Sequence, residues 1–176
     1  MTFEPNSDSV ASMNALGQCL NQIAQLTSEC GAYLRDTGPQ ILQAPTADAR
    51  LIIFNRLADF LTPVAEKYSV QASNYQSLAS QTDEVIRAML RTLSATPREQ
   101  WGDAAPRYLA GIKAMAGSAL NEIDKAQGFY QSMDKLKGLS PELDTSLQRL
   151  QWAIASKAGT SFIFKRWLEE IESLGF

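Results

Sequence analysis

The amino-acid sequence predicts an all-α protein, an elongated antiparallel helical bundle of four long helices followed by a short C-terminal helix. Apolar residues recur at alternating steps of three and four over most of the chain, as in amphipathic or coiled-coil helices that pack on other helices. Proline, glycine and short polar residues separate these periodic stretches and predict where helices end and begin. We divide the 176 residues into a flexible tail, 1–7, and one helical-bundle domain, 8–176.

The first helix is predicted to begin at Ser7 or Asp8. Its apolar stripe is Met13, Leu16, Leu20, Ile23, Thr27, Cys30 and Leu34. Asp36-Thr37-Gly38-Pro39 is expected to end it, because glycine accepts the left-handed conformation and proline cannot continue the helix. Cys19 and Cys30 would lie about 16 Å apart on this helix, too far for a disulfide, and are predicted to be reduced core residues.

The second helix is predicted to begin near Thr46 or Asp48 and to run to about Ser94. Its stripe is Ile53, Leu57, Leu61, Val64, Tyr68, Ala72, Tyr75, Ala79, Thr82, Ile86, Met89 and Leu93. The stripe keeps its phase past Pro63, which favours one long helix kinked at that residue over two separate helices. Such a helix would be about 70 Å long.

A capping-box pattern, Thr96-Pro97-Arg98-Glu99, predicts a new turn or helix after the second helix. The third helix is predicted to follow Asp103, which can cap it, and to run to about Lys137. Gly138 is expected to end it, because glycine is the residue that most often follows a last helical turn.

Ser140-Pro141 predicts the start of a fourth helix. From Phe162 onward its apolar residues are displaced by about 100° around the helix axis, so one regular helix cannot bury both sets against the same partner. We therefore predict a break at Gly159-Thr160-Ser161 and a short final helix after it.

The sequence indicates no catalytic chemistry. It contains no histidine, which removes the commonest general base and metal ligand. The one compact acidic group, Glu169, Glu170 and Glu172, is predicted to lie on a solvated helix face. Glu122 falls at the edge of a core stripe, where a carboxylate needs a partner, and a salt bridge is predicted there. We expect no enzyme activity, no cofactor and no metal site.

Charge and hydropathy bear on location and partners. The formal net charge is −3, which argues against a nucleic-acid surface because that affinity comes mainly from lysine and arginine. No apolar run approaches the roughly 18 residues needed to span a bilayer, and the first residues do not form a signal peptide. We expect a cytoplasmic protein with neither nucleic acid nor membrane as a partner, and leave secretion without a leader open.

Five apolar residues are the predicted partner-binding residues: Trp101, Trp152, Phe162, Ile163 and Trp167. Trp152 projects opposite the main stripe of its helix, and tryptophan is enriched at interface hot spots. These features favour a non-enzymatic interaction module of the adaptor, chaperone or toxin-neutralising type, which binds another protein or associates with itself. The alternatives are a secreted helical effector or pore-forming component and, third, a carboxylate-dependent metal hydrolase.

Overall fold

A computed structural model describes residues 3–176 and confirms the all-α bundle. The helices are α1 (Ser7–Gln43), α2 (Ala47–Ala95), α3 (Ala104–Asp134), α4 (Pro141–Ala158) and α5 (Ser161–Ser173), with a 3-10 turn, Arg98–Gln100, before α3. α1 packs on α2, α2 on α4, α4 on α3, and α3 on α1, so the four long helices enclose one core. α5 packs on α3 and α2 and covers one end of that core.

α2 is a single helix of 49 residues that runs through Pro63, as predicted. Its N-terminus is the predicted one, because the Thr46 side chain accepts a hydrogen bond from the backbone N–H of Ala49. Its predicted stripe faces the core: Leu57, Leu61, Tyr68, Ala72, Tyr75, Ala79, Thr82, Ile86, Met89 and Leu93 are all buried. The bend at Pro63 stays a prediction.

The predicted end of α1 at 36–39 is wrong, because the helix continues through Gly38 and Pro39 to Gln43. Proline inside a helix removes one backbone hydrogen bond and costs about 3 kcal/mol. The extra turns bury Thr37 and Ile41 in the core. Burial of an isoleucine side chain contributes about 1.5–3 kcal/mol, so core contacts offset much of the cost of the proline.

The start of α1 also differs from the sequence prediction. The cap is Asn6, whose side chain accepts a hydrogen bond from the backbone N–H of Ser9 at 2.7 Å, rather than Ser7 or Asp8. Phe3 is buried, with its ring centroid 5.7 Å from that of Tyr108. Phe3 and Asn6 of the predicted tail therefore contact the bundle, and residues 1 and 2 lie outside the described part of the chain.

The connection from α2 to α3 contains the predicted turn but not the capping box. Thr96 ends α2, and its hydroxyl donates to the carbonyl of Thr92 at 2.7 Å. No side chain caps the 3-10 turn that follows. Trp101 is buried after this turn, and its indole N–H donates to the carbonyls of Leu93 and Thr96 at 3.1 and 2.9 Å. The tryptophan therefore closes this end of α2.

The last two connections follow the sequence prediction closely. α3 ends at Asp134, three residues before the predicted Lys137, and Gly138 has the left-handed φ of 83° expected after a helix. The predicted break after α4 is confirmed at Gly159 and Thr160. The Thr160 hydroxyl and backbone N–H both donate to the carbonyl of Lys157, at 2.6 and 3.0 Å, so this residue satisfies a carbonyl at the end of α4.

Asp83 on α2 holds α5 in place. Its Oδ1 accepts a hydrogen bond from the indole N–H of Trp167 at 2.8 Å, and its Oδ2 accepts one from the guanidinium of Arg166 at 2.6 Å. Trp167 is fully buried, and its ring meets that of Phe164 edge-on at 5.1 Å. No helix within residues 3–176 is long and apolar enough to cross a membrane.

We predict that Asp83→Ala lowers the free energy of unfolding by about 2–4 kcal/mol, because the buried indole N–H and the guanidinium lose their acceptor. Glu84→Ala is the matched control: this neighbouring carboxylate is exposed and should change stability by less than about 0.5 kcal/mol. Urea unfolding measured by circular dichroism gives both values. Equal effects of the two variants would contradict the assigned role of Asp83.

Candidate functional site

The four long helices each contribute one polar side chain to the centre of the bundle. These are Thr27 from α1, Tyr68 from α2, Glu122 from α3 and Lys157 from α4, and together we call them the polar ring. All four are buried: Lys157 and Tyr68 have no exposed surface, and Glu122 retains 5%. A lysine and a glutamate are rarely buried this deeply unless they are paired.

The ring is closed by hydrogen bonds. The Lys157 ammonium donates to Oε1 of Glu122 and, at 2.7 Å, to the hydroxyl oxygen of Tyr68. The Thr27 hydroxyl donates to the same glutamate oxygen at 2.9 Å. Because that uses the only hydroxyl proton of Thr27, the phenol of Tyr68 is the donor in its 3.1 Å bond to Thr27. The ammonium therefore reaches the carboxylate both directly and through Tyr68 and Thr27.

Burial shifts the titration of two ring members. It lowers the pKa of Lys157, although the charge of Glu122 and the hydrogen bond to it oppose this shift. It raises the pKa of the Tyr68 phenol, against the effect of the hydrogen bond with Thr27. A phenol with a raised pKa stays protonated at neutral pH, so it can remain the donor to Thr27.

The two cysteines match the prediction, because both are free and buried. Burial, reinforced by the charge of Glu29, raises the pKa of the Cys30 thiol to about 12. Burial also raises the pKa of Cys19, whose thiol donates to the backbone carbonyl of Gln71 at 3.6 Å. Since the thiolate is the nucleophilic form, burial lowers the reactivity of both side chains at neutral pH.

The predicted salt bridge of Glu122 is confirmed, and its partner is Lys157. Lys157 was not predicted as the partner, although its position in the sequence indicates burial. Lys157 follows Leu150 by seven residues and Ile154 by three, so it lies on the apolar stripe of α4. A lysine in such a position requires a buried acid on a facing helix.

A groove of about 1170 Å³ opens beside the ring, between α1 and α3, and we call it the α1–α3 groove. Thr27 and Glu122 lie along it, so the groove reaches the polar ring. Buried or half-buried side chains form its apolar lining: Leu34, Ile41, Phe54, Phe129 and Leu136. Leu42 and Leu139 also line it, and they are 87% and 46% exposed. Most of the accessible apolar surface at the groove therefore comes from Leu42, Leu139 and the half-buried Phe54 and Leu136.

The two walls of the groove pack on different helices. On one side, the ring of Tyr33 in α1 stacks on Phe60 of α2, with centroids 3.9 Å apart. On the other side, the Gln151 amide of α4 donates to the Tyr130 carbonyl and to Oδ1 of Asp134 in α3, at 3.3 and 2.8 Å. The α1 wall thus contacts α2, and the α3 wall contacts α4.

The groove is basic along its length. Arg35, Arg50, Lys125 and Lys135 line it, and all four are exposed. None of them forms an ion pair with another residue of the described segment 3–176. Glu122 is the one acidic residue among the described residues lining the groove, and Lys157 matches its charge. The groove therefore carries an excess of positive charge on a chain whose net charge is −3.

Two glycines in the α1 wall border empty space. A Cβ atom placed on Gly31 or on Gly38 would have no atom of the described chain within 4 Å, apart from the backbone of its own helix and its direct neighbours. Glycine inside a helix is about 1 kcal/mol less favourable than alanine. The packing of this chain requires neither glycine, and both leave the α1 backbone open to the groove.

The five predicted partner-binding residues separate into two groups. Trp152 and Phe162 are 67% and 59% exposed, but neither lines the α1–α3 groove. Trp101, Ile163 and Trp167 are buried, so they cannot contact a partner in this conformation. The phase shift after Gly159 therefore turns the apolar face of α5 toward the core, and only Trp152 and Phe162 stay candidates for a second contact surface.

Within residues 3–176, no three histidine, cysteine, aspartate or glutamate side chains are grouped so that they could hold a metal ion. Comparisons with protein-family models, curated proteins and solved structures found no match to this chain. Inferences about its function therefore rest on the polar ring and the α1–α3 groove.

We predict that Lys157→Met and Glu122→Leu each lower the free energy of unfolding by about 3–5 kcal/mol, because each leaves a buried group without its counter-charge. The double variant should be more stable than either single variant, since it contains neither charge. Denaturant unfolding of the three variants and the wild type completes a double-mutant cycle. Additive losses would show that the two residues do not form a coupled pair.

Proposed function

We propose that this protein is a helix-binding interaction module, which receives an amphipathic helix of another protein in the α1–α3 groove. The observation that carries the proposal is the groove itself, an open channel between α1 and α3 whose apolar lining is bordered by cations. Binding of an amphipathic helix in an apolar groove is a recurrent mode of recognition. The predicted adaptor, chaperone and toxin-neutralising roles all rely on contacts of this kind.

The dimensions of the groove favour a helix as its occupant. On the α1 side it extends from Ala24 to Leu42, about 27 Å at the rise of an α-helix. On the α3 side it extends from Glu122 to Leu136, about 21 Å. A helix of roughly 14–18 residues lying along both walls would span this length.

The chemistry of the walls supports the same occupant. An amphipathic helix presents apolar side chains at steps of three and four, and these can bury against the apolar lining and the exposed Leu42 and Leu139. Open space at Gly31 and Gly38 allows a second helix to approach the α1 backbone closely. The bound helix would take the position that the walls of the free bundle leave empty.

Site-specific photo-cross-linking in the cells that produce the protein tests this proposal. A photoreactive amino acid replaces Ser28 or Ser132, which are exposed and line the groove, and Ser80, which is exposed outside it, is the control position. We expect both groove positions to cross-link to the same amphipathic segment of one partner, identified by mass spectrometry. The control position should not yield this adduct.

Gly31→Leu provides a second arm of this experiment. It places a large side chain in open space of the groove, so the fold should persist while adduct yield falls about tenfold or more. Gly128→Leu is the matched control, because Gly128 also borders open space but does not line the groove. Groove adducts that persist unchanged in Gly31→Leu, or that do not exceed those at Ser80, would refute the proposal.

A further inference from the structure

We infer that the helix received by the α1–α3 groove is acidic, with aspartate or glutamate side chains on both flanks of its apolar stripe. This inference rests on the proposed function and specifies the chemistry of the partner. Its basis is charge complementarity: four exposed cations line the groove, and none has an acidic partner within the described residues 3–176.

The cations lie on both sides of the apolar lining. Arg35 is on α1 and Arg50 is in the first turn of α2, whereas Lys125 is on α3 and Lys135 directly follows its last residue. A helix between these walls would therefore meet positive charge on each flank. Two acidic flanks separated by an apolar stripe complement this arrangement.

The cations are also spread along the groove. Measured along each helix from its member of the polar ring, Lys125 lies about 4.5 Å away, Arg35 about 12 Å, Lys135 about 20 Å and Arg50 about 27 Å. This order alternates between the α3 side and the opposite side. Successive cations are thus offset by about 7–8 Å along the bundle axis, close to one and a half turns of a helix.

This distribution favours an acidic helix over a single-headed anion such as a fatty acid. One carboxylate can approach only one or two of the four cations, whereas a helix with acids along its length can approach all of them. Each exposed ion pair contributes little affinity, so the apolar lining would supply most of the binding. The cations would select the sign of the partner's charge and speed its association.

Two labelled 18-residue peptides test the inference by fluorescence anisotropy with the full chain. They share one stripe of leucine and alanine, and their flanking positions are glutamate in one and lysine in the other. The acidic peptide should bind about tenfold tighter or more, the combined effect of several exposed ion pairs. Gly31→Leu should weaken this binding, and Gly128→Leu should not.

Charge reversal supplies the decisive comparison. The triple variant of Arg35→Glu, Lys125→Glu and Lys135→Glu should bind the basic peptide more tightly than the acidic one. A control triple variant alters exposed cations outside the groove and changes the net charge equally: Arg107→Glu, Arg149→Glu and Lys165→Glu. It should retain the wild-type preference for the acidic peptide.

Each contrary result has a distinct meaning. Equal or tighter binding of the basic peptide that remains sensitive to Gly31→Leu would overturn the acidic partner and leave the proposed helix-binding function standing. If the groove triple variant still binds the acidic peptide more tightly, or if the control triple variant does not, the inference of an acidic partner is also overturned. Dodecanoate, a single-headed anion, is the third probe. If it binds and neither peptide does, this inference is overturned in favour of a fatty-acid site. If the groove cross-links are also absent, the helix-binding function is refuted as well.

Discussion

The ion pair between Glu122 and Lys157 is the contact on which the arrangement of the helices depends. Removing two charges from water is costly, and a pair of apolar residues in the same place could be equally stable. We therefore interpret the pair as a determinant of register rather than a source of stability. Only one alignment of the four long helices brings Thr27 and Tyr68 to the level where they complete the hydrogen bonds of the pair. A shift of one helix by a turn, about 5.4 Å, would leave a buried charge or hydroxyl unpaired.

The polar ring also separates two different ends of the bundle. On one side, α5 covers the core and is held by the hydrogen bonds from Trp167 and Arg166 to Asp83. On the other side, α1 packs on α2 and α3 packs on α4, and the α1–α3 groove lies between α1 and α3. The hydrogen bond between Thr27 and Glu122 joins the two walls at the ring. A partner's helix would cover this second end, as α5 covers the first.

Local patterns in the sequence predicted much of the fold. The unbroken phase of the α2 stripe across Pro63 and the phase shift after Gly159 are both properties of one segment, and the structure confirms the continuous helix and the break. The end of α1 was predicted wrongly because burial of Thr37 and Ile41 depends on neighbouring helices, and that burial outweighs the local stop signal at 36–39. The groove had no local signal at all, since its cations come from three helices and its volume depends on the distance between α1 and α3.

Native-state hydrogen exchange followed by mass spectrometry tests most directly whether the polar ring stabilises the bundle more than the segments that line the groove are stabilised. Exchange free energies report local and global opening separately. Amides of α1 near Thr27 should exchange only on global unfolding, whereas amides at 34–41, along the groove, should exchange through a smaller local opening. In Lys157→Met, protection near Thr27 should fall to the level of 34–41. Equal protection of both segments in the wild-type protein, or unchanged protection near Thr27 in the variant, would contradict this account.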